Sequence, residues 1–85
     1  MALVSTDDLR RVLREVTGES PDDVDEASFL ETSLEQLGYD SLALMEAAAR
    51  IQQEFGVRLA DDDVFRIGTP RELLRFVNDA AATGR

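Results

Sequence analysis

The chain has 85 residues, a formal net charge of −9 at pH 7 and a hydrophobic fraction of 44%, which together describe one small acidic globular protein. It contains no cysteine and no histidine, and all nine of its cations are arginine. Disulfides, thiolate nucleophiles, zinc sites and acid–base chemistry by histidine or lysine are therefore excluded. The negative charge disfavours binding to nucleic acid or to an anionic membrane. No apolar run is long enough for a signal peptide or a membrane span, so we expect a cytoplasmic protein.

The first half of the chain is predicted to contain a helix and a long connection. Apolar residues at helical spacing predict a helix over residues 6–17, with a serine or threonine at its start and Gly18 at its end. An acidic connection follows over residues 19–40, which we expect to be a long first loop. Within it, residues 33–37 are predicted to form a helical turn that Gly38 closes.

The second half is predicted to be helical almost throughout. A second helix is expected over residues 41–55, and a short third helix over residues 61–66. Residues 69–72 place threonine, proline and glutamate at the positions of a capping box, which predicts the start of the last helix. The sequence therefore predicts an all-α fold, a small bundle of three main helices plus one short helix, in a single domain over residues 1–85.

One short segment carries the most functional information. Residues 38–46 read Gly-Tyr-Asp-Ser-Leu-Ala-Leu-Met-Glu, so a glycine turn delivers Ser41 to the start of the second helix. Considered alone, this spacing favours a serine that merely caps the helix, because serine is common at that position.

Three segments in the correct order resemble the acyl carrier proteins, and most specifically those of bacterial type II polyketide synthases. Asp40, Ser41 and Leu42 match the Asp-Ser-Leu hallmark at the start of helix two in that family. Residues 6–11 resemble the first helix of the family, and residues 69–74 resemble its last helix.

The resemblance implies a carrier and not an enzyme. It implies that Ser41 is esterified with 4′-phosphopantetheine from coenzyme A by a phosphopantetheinyl transferase. The thiol of that arm then carries malonyl and growing polyketide chains as thioesters. The partners implied are a ketosynthase with its chain-length factor, a malonyl transacylase, a ketoreductase and cyclases. We expect the chain itself to be a monomer. This explains a chain without cysteine or histidine, because the cofactor supplies the sulfur.

The resemblance also assigns residues beside the serine. Asp40 and Leu42 belong to the attachment site, with Asp40 either orienting the transferase complex or placing negative charge at the helix start. Leu42, Met45 and Glu46 are expected to contact partner enzymes, although Glu46 also has the spacing to pair with Arg50.

The resemblance implies that the fold can admit an acyl chain between helices two and three, next to six candidate apolar residues. These residues are Leu44, Ala48, Ile51, Val64, Ile67 and Phe76. In the resting state we expect this space to be a filled core. We also expect polyketide intermediates to be held loosely, because their ketones lose water contacts when they are buried.

No metal site is expected from the acidic clusters at residues 22–26 and 61–63, because neither has the ligand spacing of a calcium loop. Three alternatives remain open at this point. A fatty-acid carrier is disfavoured by Tyr39 and by Gln52 and Gln53, which stand where such carriers are often acidic. An acidic helical interaction module predicts an unmodified Ser41, and a small hydrolase lacks a histidine or lysine base.

Overall fold

The computed structural model describes residues 4–18 and 25–83, and helices are the only regular structure in this part of the chain. In chain order they are α1 (Thr6–Thr17), α2 (Glu26–Glu31), α3 (Ser41–Phe55), α4 (Asp61–Val64) and α5 (Pro70–Thr83). The prediction of an all-α bundle is confirmed. Within these described ranges, no helix is long and apolar enough to cross a membrane.

The ends of α1 and α3 follow from their capping residues. Ser5 and Asp8 form a reciprocal capping box, in which each side chain accepts a hydrogen bond of 3.1 Å from the backbone of the other. Gly56 ends α3 with a φ of 70°, a left-handed conformation that glycine adopts at low cost. Its N–H donates to the carbonyl of Gln52 at 3.0 Å. Both helices therefore have the bounds that the sequence predicts.

The start of α5 is fixed in the same way. The hydroxyl of Thr69 accepts a hydrogen bond from the N–H of Glu72 at 3.2 Å. The Glu72 carboxylate in turn accepts from the N–H groups of Thr69 at 3.3 Å and Gly68 at 2.7 Å. The predicted capping box is confirmed, and Pro70 after it is fully buried.

The long first loop is interrupted by α2, so the prediction of a loop without a full helix was wrong. Asp25 caps α2 by accepting a hydrogen bond of 3.2 Å from the N–H of Ser28. The helix has only six residues and a single buried side chain, Phe29. Such a short helix shows no periodicity in the sequence, because its six residues make fewer than two helical turns. Residues 19–24 of the connection lie outside the described residues.

Contacts with other helices hold α2 in place. The guanidinium of Arg10 on α1 lies 4.7 Å from the centre of the Phe29 ring, a cation–π contact. On α5, Arg71 Nε donates to Glu31 Oε2 at 2.6 Å. Tertiary contacts thus stabilise a helix that would be too short to form alone.

The short helix α4 ends two residues earlier than predicted, after Val64. The N–H of Phe65 still donates to the carbonyl of Asp61, but the N–H of Arg66 donates to Asp63, three residues back, at 3.1 Å. Ile67 repeats this three-residue spacing, so the chain tightens into a turn after one helical turn.

The buried side chains form one aliphatic core with two aromatic members. Its residues are Val4, Leu9, Val12, Leu13, Phe29, Leu34, Tyr39, Leu44, Ala47, Ala48, Ile51, Val57, Leu59, Val64, Leu73, Val77 and Ala81. No charged side chain of the described residues is buried in it. The three long helices supply most of this core, as the sequence predicts.

An exposed ion-pair network joins α1 to the second half of α3. Arg11 hydrogen-bonds to Glu54 and lies 3.4 Å from Glu15, and Arg50 lies 3.6 Å from the same Glu15. The hydrogen bond to Glu54 raises the pKa of the Arg11 guanidinium above its ordinary value. The network therefore neutralises carboxylates at the end of α3 that is distant from Ser41.

Candidate functional site

The chain enters α3 through a turn over residues 34–38. Gly38 ends the turn with a φ of 95°, which a residue with a side chain adopts only under strain. The N–H of buried Tyr39 then donates to the carbonyl of Leu34 at 2.9 Å, and the N–H of Leu34 donates to Gly68 at 2.8 Å. These bonds fix the start of α3 against the segment that precedes α5.

Asp40 is the residue that caps α3. Its carboxylate accepts a hydrogen bond of 2.8 Å from the N–H of Ala43, and its carbonyl accepts one of 2.9 Å from Leu44. Ser41 is therefore the first residue inside the helix and not its cap. The negative charge of Asp40 also lies at the positive end of the helix dipole, where it is stabilising.

Ser41 is exposed at this helix start. Its hydroxyl makes no hydrogen bond to any residue that the structure describes. The start of α3 therefore presents to solvent a hydroxyl that is not hydrogen-bonded to the described residues. With no histidine or lysine in the chain, no neighbouring base is available to activate this hydroxyl.

A groove of about 550 Å³ begins at Ser41 and runs between α3 and the turn after α4. We call it the Ser41 groove; it is lined by Ser33, Leu34, Glu35, Gly38, Tyr39, Asp40, Ser41, Leu44, Phe65, Ile67 and Gly68. Phe65 is 55% exposed although it is a large apolar residue. The sequence predicts that Phe65 lies inside a short helix and does not predict its position on the groove. The one sequence signal is that Phe65 belongs to none of the predicted apolar stripes.

The six apolar residues expected along an acyl chain fall into different surroundings. Leu44 and Ile67 line the Ser41 groove. Ala48, Ile51 and Val64 are buried in the core. Phe76 is half-buried on α5 and lines other grooves of the surface.

The residues expected to contact partners lie on one stretch of α3. Leu42 is 76% exposed, whereas Met45 is half-buried against the core. Glu46 is exposed, and Arg50 pairs with Glu15 on α1 instead of with Glu46. The negative charge of Glu46 therefore stays available at the surface.

The acidic clusters form no metal site within residues 4–18 and 25–83, where no three carboxylates come together as possible ligands. The carboxylates at residues 61–63 are exposed in the first turn of α4, where the positive end of the helix dipole stabilises their negative charge. Residues 22–24 of the other cluster lie outside the described residues.

Similarity to known proteins extends over nearly the whole chain. The family model described as "Phosphopantetheine attachment site" matches residues 7–77. The actinorhodin polyketide synthase acyl carrier protein of Streptomyces coelicolor is 50% identical over 80 residues, which cover 94% of this chain and 93% of that protein. This chain belongs to the acyl carrier proteins of type II polyketide synthases.

Two further similarities support this membership of the carrier family. The granaticin polyketide synthase acyl carrier protein of Streptomyces violaceoruber is 51% identical over 83 residues, covering 96% of each protein. The solved structure of the actinorhodin holo acyl carrier protein from Streptomyces coelicolor superposes with a TM-score of 0.85 at 49% identity, covering 99% of this chain and 98% of that one. A fatty-acid carrier is the less supported alternative.

As a member of this family, the carrier bears a covalently attached 4′-phosphopantetheine. The residues at the start of α3 fit such a group. The exposed hydroxyl of Ser41 can take a phosphodiester, and the N-terminus of a 15-residue helix favours the negative charge of the phosphate. The Ser41 groove lies directly beside this hydroxyl and offers both apolar and polar walls.

Proposed function

We propose that Ser41 is the residue to which the prosthetic group is attached. The observation that carries this proposal is the contrast between Ser41 and the other described serines. The hydroxyls of Ser5 and Ser33 each accept a hydrogen bond from a backbone N–H three residues later, and Ser28 hydrogen-bonds to Asp25. Ser41 has no such role, is exposed, and lines a groove of about 550 Å³.

The alternative in which Ser41 only caps the helix is disfavoured by the position of Asp40. A serine that only caps a helix would accept the hydrogen bond that the Asp40 carboxylate accepts from Ala43. Since Asp40 already serves the helix end, the hydroxyl of Ser41 is not needed for stability. This supports a chemical role for Ser41.

When bound, the prosthetic group supplies a terminal thiol on which acyl chains are held as thioesters. The chain itself holds and presents that group. The cap of α3 and the hydrogen bonds of Tyr39 and Leu34 fix the attachment point. Leu44 and Ile67 offer apolar contact along the Ser41 groove, which shields part of an arm from water.

The cargo that we propose is malonyl and the growing polyketide chain. The carrier delivers it to a malonyl transacylase, a ketosynthase with its chain-length factor, a ketoreductase and cyclases. Delivery works through proximity, because tethering gives the thioester a high local concentration at a docked active site. The carrier is not an enzyme in this proposal, because it has no histidine, lysine or cysteine to act on the cargo.

Docking is proposed to use the first half of α3. Leu42 provides an exposed apolar contact, and Glu46 provides an unpaired negative charge for a basic partner surface. Met45, which is half-buried, completes the apolar contact. Such an interface is small and transient, so its affinity for the ketosynthase should fall as salt is added. An affinity unchanged by salt contradicts this mode of docking.

We further propose that the chain works as a monomeric single domain over residues 1–85 and in the cytoplasm. The net charge of −9 supports a monomer, because copies of the chain repel one another.

The attachment is tested by incubating the apo protein with coenzyme A and a phosphopantetheinyl transferase and then measuring the intact mass. The wild type is expected to gain one phosphopantetheine, and Ser41→Ala is expected to gain none. Ser33→Ala is the matched control, because it removes a nearby serine hydroxyl but leaves Ser41 intact. A mass gain that persists in Ser41→Ala refutes the proposal.

A further inference from the structure

Two surface grooves lie next to each other at the turn after α4, and one of them is lined by Ser41. The Ser41 groove shares Ile67 with a second groove of about 460 Å³, which we call the Arg75 groove. Arg66, Arg75 and Phe76 also line this second groove, which lies between the turn after α4 and α5. The two grooves therefore adjoin at Ile67 on the surface of the protein, outside the core.

Two arginines on the Arg75 groove form no ion pair within the part of the chain that the structure describes. Arg66 and Arg75 are exposed, and neither forms an ion pair with another described residue. In a protein with 18 acidic residues and nine arginines, two guanidinium groups on one groove are thus left with free donors. The ion-paired Arg11 and Arg50 do not line this groove.

The composition of the groove selects the chemistry of its ligand. Half-buried Ile67 and Phe76 form an apolar floor, and guanidinium N–H groups are available at the rim. Three carboxylates, on Asp63, Glu72 and Asp79, also line the groove. With two arginines against three carboxylates the groove has a net charge of −1, so an anion gains no net attraction there, and the fitting ligand is a neutral chain that carries hydrogen-bond acceptors on an apolar backbone.

We propose that the Arg75 groove binds the ketone-bearing part of the tethered polyketide chain, with Arg66 and Arg75 donating hydrogen bonds to its carbonyl oxygens. This inference rests on the function proposed above. A β-polyketone is neutral and carries a carbonyl on every second carbon, which matches both the floor and the rim. In the open groove the ketones keep their hydrogen bonds, whereas the aliphatic core around Ile51 and Val64 offers them no donor.

Two kinds of chain are not expected to be recognised through the arginines of this groove. A malonyl group carries a carboxylate, which gains no net attraction from a groove lined by two arginines and three carboxylates. A saturated chain has no acceptor for a guanidinium group, so only the apolar floor is left to it. The two arginines therefore distinguish a polyketone from a saturated chain of equal length.

The test compares two forms of the holo carrier, loaded at the thiol through a stable thioether. One form bears a six-carbon chain with two ketones, and the other bears a saturated six-carbon chain. Intact mass first establishes that each form is fully loaded. Nitrogen–proton NMR spectra are then recorded, including the side-chain Nε–Hε signals of arginine. The ketone form is expected to shift these signals of Arg66 and Arg75 and the amides of Ile67 and Phe76.

Variants identify the groups responsible. In Arg66→Gln/Arg75→Gln the shifts of Ile67 and Phe76 that are specific to the ketone chain are expected to disappear. Arg50→Gln, which makes the same chemical change outside the groove, is expected to keep them. Equal arginine shifts with both chains, or ketone-specific shifts that survive the double substitution, overturn the inference. A fully loaded carrier with no shift in the groove overturns it while leaving the proposed function intact, whereas a failure to load refutes both.

Discussion

The side chain of Asn78 on α5 and the backbone of Val4 form a reciprocal pair of hydrogen bonds. Asn78 Oδ1 accepts from the N–H of Val4 at 2.8 Å, and Asn78 Nδ2 donates to the carbonyl of Val4 at 3.0 Å. Val4 is itself buried, so water has little access to these backbone groups. One amide thus fastens the segment before α1 to the last helix.

Replacing this amide should destabilise the fold without affecting the attachment site. In Asn78→Ala the backbone groups of Val4 lose their partners, which is expected to lower the free energy of unfolding by about 1–3 kcal/mol. Asn78→Asp keeps the acceptor for the Val4 N–H but turns a carboxylate oxygen toward the Val4 carbonyl, so it is also expected to lower the free energy of unfolding. Urea denaturation measures both, and unchanged unfolding midpoints would show that water replaces the amide.

The two roles of Asp40 can be separated by a pair of substitutions. Asp40→Ala removes the cap of α3 and is expected to lower stability by ~1 kcal/mol, whereas Asp40→Asn keeps the cap and should be nearly neutral. The rate of phosphopantetheine transfer then reports on the charge alone. A rate that falls in stable Asp40→Asn indicates that the transferase requires the carboxylate, and an unchanged rate leaves Asp40 with the cap only.

The cap of α2 should respond to acid. Hydrogen bonds from the side chain and backbone of Ser28 hold the pKa of Asp25 below its ordinary value of 3.8. Because the native pKa is lower than the unfolded one, ionised Asp25 stabilises the fold above pH 3.8 and loses this contribution as pH falls through the native pKa. An NMR titration of the Asp25 carboxyl is expected to show a pKa below 3.8, which Ser28→Ala raises. A midpoint at or above the ordinary value contradicts the hydrogen bonding described.

Two glutamates on α3 provide a matched test of docking. Glu46→Gln and Glu54→Gln remove the same charge from the same helix, but Glu54 is already paired with Arg11. Ketosynthase affinity at low salt is expected to fall by about twofold to fivefold, or ~0.5–1 kcal/mol, in Glu46→Gln. Glu54→Gln should leave it unchanged.

The free energy of unfolding should fall more in Glu54→Gln than in Glu46→Gln, the reverse of the order expected for ketosynthase affinity. The side chains of Arg11 and Glu54 are 38% and 41% exposed, so solvent screens their attraction. Glu54→Gln is therefore expected to lower stability by at most ~1 kcal/mol, and Glu46→Gln by less. Equal losses of ketosynthase affinity in the two variants would indicate that only net charge matters for docking.

The parts of the fold that could be predicted are those with local signals. The start of α5 follows from Thr69, Pro70 and Glu72, and the end of α3 follows from Gly56, because each signal acts within a few residues. By contrast, α2 depends on Arg10 and Arg71 from distant helices, and no local pattern encodes those contacts.

The candidate site likewise has features that the sequence predicts and features that only the structure shows. The position of Ser41 at a helix start could be predicted from the preceding glycine turn and from the family resemblance. The assignment of the cap to Asp40 required the observed hydrogen bond to Ala43, because aspartate and serine are about equally good at that position. The place of Phe65 on the groove depends on where α4 ends, which the three-residue hydrogen bonds determine.

The ion pairs between α1 and α3 make the carrier electrically uneven along its third helix. Arg11 and Arg50 pair with Glu15 and Glu54 near one end of that helix, while Asp40 and Glu46 near the other end form no ion pair with a described residue. In the field of a positively charged enzyme, such a molecule experiences a torque as well as an attraction. We therefore expect it to rotate during its approach so that the end bearing Ser41 leads, which reduces the number of orientations sampled before contact.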